Sequence, residues 1–264
     1  MKKSILQLFT GVQIVIITTF LLSWSPIKPE RAFYQLIIYH FKTDTQQTAI
    51  DNYLQHAILP ALHRTGIKNI GVFKSHGNDT LPDKTMFVFI PLKSLDIIST
   101  IPSKLNADKE YQLAGVNYIN AAYTSPPYTR METILLQAFP LAPVMQLPVL
   151  KGARNERVYE LRSYEGPTEK IFQNKIQMFN EGDEIGLFKR LNFNAVFYSE
   201  VIAGSKMPNL MYMTCFENMA DREAHWKSFG SDAYWKKLSS MPEYQHNVSR
   251  NEITFLYPTT YSDF

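Results

Sequence analysis

The chain carries nearly the same strand twice, and that repeat limits what it can fold into. Tyr34-Gln35-Leu36-Ile37-Ile38-Tyr39 returns as Tyr159-Glu160-Leu161-Arg162-Ser163-Tyr164. The last strands of the two copies also match, Arg130-Met131-Glu132 against Arg250-Asn251-Glu252. A repeat of roughly 120 residues is too long for a solenoid unit and is the size of a whole small domain. The expected architecture is therefore two similar α+β modules that pair within one chain as two subunits would pair in a dimer.

Each copy runs through the same elements. The first has a strand at 33–41, a helix at 45–64 with Pro60 inside it, strands at 70–74 and 86–92, a helical region at 94–121 and a strand at 130–139. Ile50, Tyr53, Leu54, Ala57, Ile58, Ala61 and Leu62 recur at spacings of three and four, which predicts the helix. Pro60 predicts a kink in it, and Gly66 a stop. The second copy reads strand 157–164, helix 167–189, strands 194–202 and 209–216, a helical region at 219–240 and strand 249–257. The order β-α-β-β-α-β is ferredoxin-like. Such a sheet has helices on one face only, so its other face needs cover. Two tandem ferredoxin-like modules packed sheet to sheet, as a dimeric α/β-barrel-like pseudo-dimer, provide it. The modules span 32–139 and 157–258, joined by a proline-punctuated linker at 140–156 that contains Pro140, Pro143 and Pro148.

Charge is uneven along the chain. Lys2, Lys3, Lys28 and Arg31 against Glu30 supply the whole formal excess of +3, so the body from Ala32 onward is neutral. A neutral body argues against nucleic acid as a partner. Lys2 and Lys3 precede an apolar run from Ile5 to Trp24, the pattern of an export signal. Residues 1–25 are expected to be a signal peptide, cleaved after Ser25, or a retained anchor; Pro26 works against cleavage. The body would then be periplasmic or secreted, or held at a membrane through that segment alone, outside the cytoplasm. Cys215 is the only cysteine, which excludes an internal disulfide, and its apolar strand suggests a buried small hydrophobe.

At this point the residues resemble a known family. Val158-Tyr159-Glu160-Leu161-Arg162-Ser163-Tyr164, followed by Arg222-Glu223-Ala224-His225-Trp226-Lys227-Ser228-Phe229 and Ser231-Asp232-Ala233-Tyr234-Trp235, is similar to the opening strand and helical signature of the NIPSNAP family. Ala233 stands where that family usually has proline. The first module resembles it more weakly, through Tyr34 to Tyr39 and Gly66 to Phe73, and lacks the tryptophans. The resemblance implies a dimeric α/β-barrel fold with a pocket and no agreed reaction. Some relatives in the wider barrel group bind haem through a helical histidine, which makes His225 the residue to test, although no cofactor is expected. His56 and His63 lie two helical turns apart, too loose a cluster to predict a metal site.

Strand alternation puts Glu160, Arg162 and Tyr164 on one face. Arg250 and Glu252 share a face of the last strand. Together with Trp226 and Trp235 these are the candidate ligand-binding residues: arginine to hold an anion, carboxylate as base, Tyr164 as donor. The alternative is an ion-pair network that only holds sheet and helices together. In the first module Gln35 and Ile37 replace the Glu160 and Arg162 pair, so any working pocket belongs to the second. No phosphate loop, nucleophile elbow or zinc spacing is present. Three functions stay open: a protein binding a small apolar or aromatic ligand in the barrel of the second module, a cofactor-poor monooxygenase or isomerase of the barrel group, and a non-catalytic interaction module tethered at a membrane. Self-association is compatible with all three. A closed apolar cavity holding Arg162 and Tyr164 would favour the first two, and a filled barrel with paired charges the third.

Overall fold

The structure, a computed structural model, describes residues 30–264. The expected signal or anchor at 1–25 lies outside them. Among the described residues no helix is long and apolar enough to cross a membrane.

The strands are β1 (Phe33–Phe41), β2 (Gly71–Ser75), β3 (Lys84–Leu92), β4 (Arg130–Ala138), β5 (Val158–Glu165), β6 (Ala195–Ala203), β7 (Asn209–Phe216) and β8 (Arg250–Pro258). They close into one antiparallel barrel in the order β1-β3-β2-β8-β5-β7-β6-β4. Within each module the order is ferredoxin-like, β4-β1-β3-β2 and β8-β5-β7-β6. The modules join at two seams, β2 with β8 through Phe73↔Pro258 to Ser75↔Leu256, and β4 with β6 through Leu135↔Ala203 to Ala138↔Ser199. Closure removes every free sheet edge, which is the physical gain of pairing two open sheets.

Nine helices lie outside the barrel among the described residues: α1 (Asp44–Tyr53), α2 (Leu59–Arg64), α3 (Asp96–Ala107), α4 (Lys109–Ala114) and α5 (Val116–Ile119) in the first module, then α6 (Glu169–Asn180), α7 (Glu184–Arg190), α8 (Met219–Ser231) and α9 (Ala233–Ser240) in the second. Two long helices of the sequence reading are interrupted. Before Pro60 the ladder passes through a π turn at Leu54–Ile58, because proline has no N–H to give to the preceding turn. The helix expected at 167–189 breaks between α6 and α7, where Asp183 takes a left-handed φ of 55°. α6 starts on Thr168, α8 on Asn218 and α9 on Asp232, each side chain accepting from a backbone N–H of the first turn. The segment 140–156 has no helix or strand, yet it is pinned to the barrel. The Ala32 N–H donates to the Pro143 carbonyl at 2.8 Å, and the Gln146 N–H to that of Val196 at 2.8 Å.

Three apolar clusters follow from this layering. One fills the barrel at the end where β1 begins, with Tyr34, Phe73, Phe89, Tyr159, Phe197 and Phe264 in mutual ring contact. The other two lie between the outer sheet face and the helices, one in each module.

Candidate functional site

The parity of β5 decides where the predicted residues go. Tyr159 and Leu161 point into the barrel core, so Glu160, Arg162 and Tyr164 point outward, under the helices of the second module. The row expected inside the barrel is therefore in the layer between sheet and helices. Trp226 on α8 and Trp235 on α9 reach the same layer.

Glu160 is the centre of the arrangement and is fully buried. Its carboxylate accepts from Arg162 Nε at 2.5 Å, from Arg222 Nε at 2.7 Å and Nη2 at 3.2 Å, and from Trp226 Nε1 at 2.9 Å. Burial alone pushes its pKa up. Arg222, Arg162 and Trp226 outweigh that and hold the carboxyl below the ordinary glutamate range. The Arg162 guanidinium stacks 3.7 Å from the Trp226 ring centroid and donates from Nη1 to the Tyr164 hydroxyl at 2.9 Å. That hydroxyl meets the Tyr212 hydroxyl at 2.9 Å. Burial works against the Arg162 charge, but Tyr212, Tyr164 and Glu160 more than offset it and raise its pKa.

Beside this network lies a cavity of about 240 Å³, lined by Arg162, Tyr164, Lys175, Tyr212, Trp226 and Trp235 among others. Lys175 is buried, paired with Glu184 at 2.8 Å, and its ammonium lies 4.7 Å from the Phe179 ring and 5.8 Å from that of Trp235. Arg162 Nη2 donates no hydrogen bond among the described residues. The site thus offers a cation with a spare donor edge, a Lys175–Glu184 ion pair and aromatic walls.

Arg250 and Glu252 are elsewhere. They pair with each other at 3.0 Å, and Glu252 lines the open end of the barrel. Arg130 and Glu132 do the same on β4, paired at 2.5 Å. The seven candidates therefore divide between an outer cleft and the barrel mouth. His225 belongs to neither cavity. Its Nδ1 is bonded to the Asp221 carbonyl at 2.8 Å, and its ring packs on Phe193 and Phe216. Among the described residues no three His, Cys, Asp or Glu side chains are arranged to hold a metal ion.

Sequence reasoning missed Arg222, Lys175 and Glu184. Arg222 and Trp226 are four apart on a helix that covers the Glu160 face, so the spacing was there to be read. Lys175 stands between Phe172 and Phe179 on the apolar stripe of α6, which is the mark of a buried lysine.

The first module fills the matching layer with tyrosines. Tyr39, at the Tyr164 position, packs against Tyr128 at 5.8 Å; Tyr53 stacks on Tyr118 at 3.7 Å and meets the Tyr111 hydroxyl at 2.8 Å. Burial pushes the Tyr39 hydroxyl up to about 12.

Residues 159–263 match the NIPSNAP family model, from β5 almost to the last residue. No curated protein matches the chain in sequence. Among solved structures, a candidate monooxygenase from Lactobacillus acidophilus NCFM superposes with a TM-score of 0.56 at 10% identity, covering 87% of this chain and 94% of that one. A second candidate monooxygenase, from Fusobacterium nucleatum subsp. nucleatum ATCC 25586, gives 0.56 at 6% identity, covering 87% and 93%. An anthrone oxidase-like protein gives 0.50 at 8% identity, covering 88% and 93%. At these identities the likeness is one of fold, and it extends over both modules.

Proposed function

We propose that the protein binds a small aromatic ligand bearing an anionic group in the cleft between sheet and helices of its second module. The observation that carries this reading is Arg162. It is held over the Trp226 ring and fixed by Glu160, with its Nη2 making no hydrogen bond among the described residues, at the wall of a 240 Å³ cavity. A guanidinium fixed in this way is suited to a carboxylate or phenolate. Lys175, paired with Glu184 in the same wall, adds an N–H donor, and Trp226, Trp235 and Tyr212 supply ring contacts. A cavity of roughly 150 Å³ already accepts benzene; this one takes a single substituted ring. Glu160, with four contacts of its own, anchors the arginines.

The test is a thermal-shift and calorimetry screen of the full-length chain against benzoates, phenylacetates and phenylpropanoates. Binding is expected for at least one acid, weakened at least about tenfold by Trp235→Leu and by Arg162→Lys. Equal affinity for the neutral amides of the same acids, or no binding across the set, refutes the reading. A second reading, oxygenation of the bound ligand, is supported by the fold shared with candidate monooxygenases and by the Tyr164–Tyr212 hydroxyl pair in the cleft. Oxygen consumption with the bound acid checks it.

A further inference from the structure

The other face of β5 leads to a different cavity. At the end opposite the aromatic plug the barrel holds a space of about 310 Å³. Its floor is apolar, made by Ile38, Phe87, Ile134, Leu161, Val201 and Met211. Its collar is polar, with His40, Glu132, Ser163, Asn209 and Glu252, and Arg130 and Lys206 at its rim. β4 and β8 stand four strands apart in either direction round the eight-stranded ring, so Glu132 and Glu252 face each other across the bore.

Two observations show which chemistry the collar lacks. Asn209 is only 2% exposed, and its Nδ2 donates to Ser163 Oγ at 2.7 Å, yet its Oδ1 is buried with no hydrogen-bond partner. A buried acceptor left empty is destabilising unless a donor arrives. The second is the placing of the charges. The carboxylates are the inner groups, with Glu132 21% and Glu252 34% exposed. Their cations Arg130, Arg250 and Lys206 are 63%, 66% and 44% exposed. Exposed pairs of this kind hold weakly. His40 is the one inner partner, with Nε2 at 3.1 Å from Glu132 and Nδ1 at 2.9 Å from Asp83. The inner wall of the mouth is thus rich in acceptors, and the compensating donors Arg130, Arg250 and Lys206 are the more exposed groups of each pair.

We propose that the open end of the barrel is a second binding site, taking a small amine whose apolar body lies on the barrel floor and whose N–H groups meet Asn209 Oδ1 and the Glu132 and Glu252 carboxylates. The two sites are then opposite in character: a fixed cation in the outer cleft, acceptors in the bore. The inference does not depend on the cleft binding anything.

Calorimetric titration of the full-length chain with 3-phenylpropylamine, and with 3-phenylpropanol and 3-phenylpropanoate as isosteric controls, tests it. The amine is expected to bind at least about tenfold more tightly than the alcohol, at a site that saturating 3-phenylpropanoate does not block. Asn209→Leu is expected to weaken the amine at least about tenfold. Glu252→Gln, a change at the half-exposed rim that leaves the fold intact, gives a second reading and should weaken it at least about threefold. An amine no tighter than the alcohol overturns the proposal, as does an amine displaced by saturating 3-phenylpropanoate. So does amine binding unchanged by Glu252→Gln or by a folded Asn209→Leu variant.

Discussion

Replacing Glu160 with glutamine removes one charge and almost no volume from the point where β5 meets α8. In the native protein its two oxygens accept four hydrogen bonds, three from guanidinium groups and one from an indole. Glutamine can present one oxygen, and its NH2 must face donors it cannot satisfy. Arg162 and Arg222, with side chains 10% and 19% exposed, are then left as charges without a counter-ion. Breaking a buried pair in this way costs about 3–5 kcal/mol. At about 2–4 °C per kcal/mol for a chain of this size, the melting temperature should fall by roughly 6–20 °C. Urea denaturation should show the loss as a lower midpoint at an unchanged slope. Combining Glu160→Gln with Arg222→Gln should destabilise by less than the sum of the single changes, because the second change removes a charge the first had orphaned.

The pH dependence has a definite sign. The folded Glu160 carboxyl titrates below its ordinary value near 4.5. Its contribution is therefore complete above that value and is lost as pH falls through the lowered folded value. The stability gap between native protein and Glu160→Gln should be constant from neutral pH down to about 5 and narrow below that. A loss under about 1 kcal/mol at neutral pH, or a gap that stays constant in acid, would refute the assignment of Glu160 as the charged anchor of the network.

Two further outcomes follow from burial. Cys215 is fully buried, its thiol donates to the Asn194 carbonyl at 2.8 Å, and burial pushes its pKa well up; a thiol reagent should leave the native protein unlabelled at neutral pH and react stoichiometrically once it is unfolded, and rapid native labelling would contradict this. Lys175→Met alone should cost about 3–5 kcal/mol by stranding the buried Glu184, and Lys175→Met with Glu184→Gln should recover most of it in the same denaturation assay.

The periodicities in the sequence were enough for the element order, the pairing of two ferredoxin-like modules and the grouping of Glu160, Arg162 and Tyr164. They were not enough to say which side of β5 that group occupies. In an open two-layer sheet the polar face is the wet one, but in this barrel both faces of β5 are covered, the inner by the bore and the outer by α8 and α9. Alternation gives parity and leaves direction undecided. The same ambiguity joined Arg250 and Glu252 to the outer group, whereas their parity on β8 takes them to the mouth. His40 and Glu132 come together only through the β1–β4 register, Ile38↔Glu132 and His40↔Arg130, which local sequence does not encode. The break at Asp183 was hidden because Leu187 and Phe188 continue the apolar stripe across it.

The two modules solve one packing problem in two ways, and the contrast bears on function. Both must cover the outer face of a four-stranded sheet with helices. The first does it with Tyr39, Tyr53, Tyr111, Tyr118 and Tyr128, which need little beyond mutual ring contact and a shared hydroxyl bond. The second uses a buried Glu160 with two arginines and a buried Lys175–Glu184 pair. Desolvating such ions consumes most of what their attraction returns, so an apolar filling of similar volume is as stable or more so. The first module shows that this fold accommodates the aromatic filling at the equivalent place. Stability therefore does not explain the ionic one. What the charged version provides is a fixed guanidinium on the wall of a cavity, and that difference in chemistry between the halves is the reason to propose a binding function for the second.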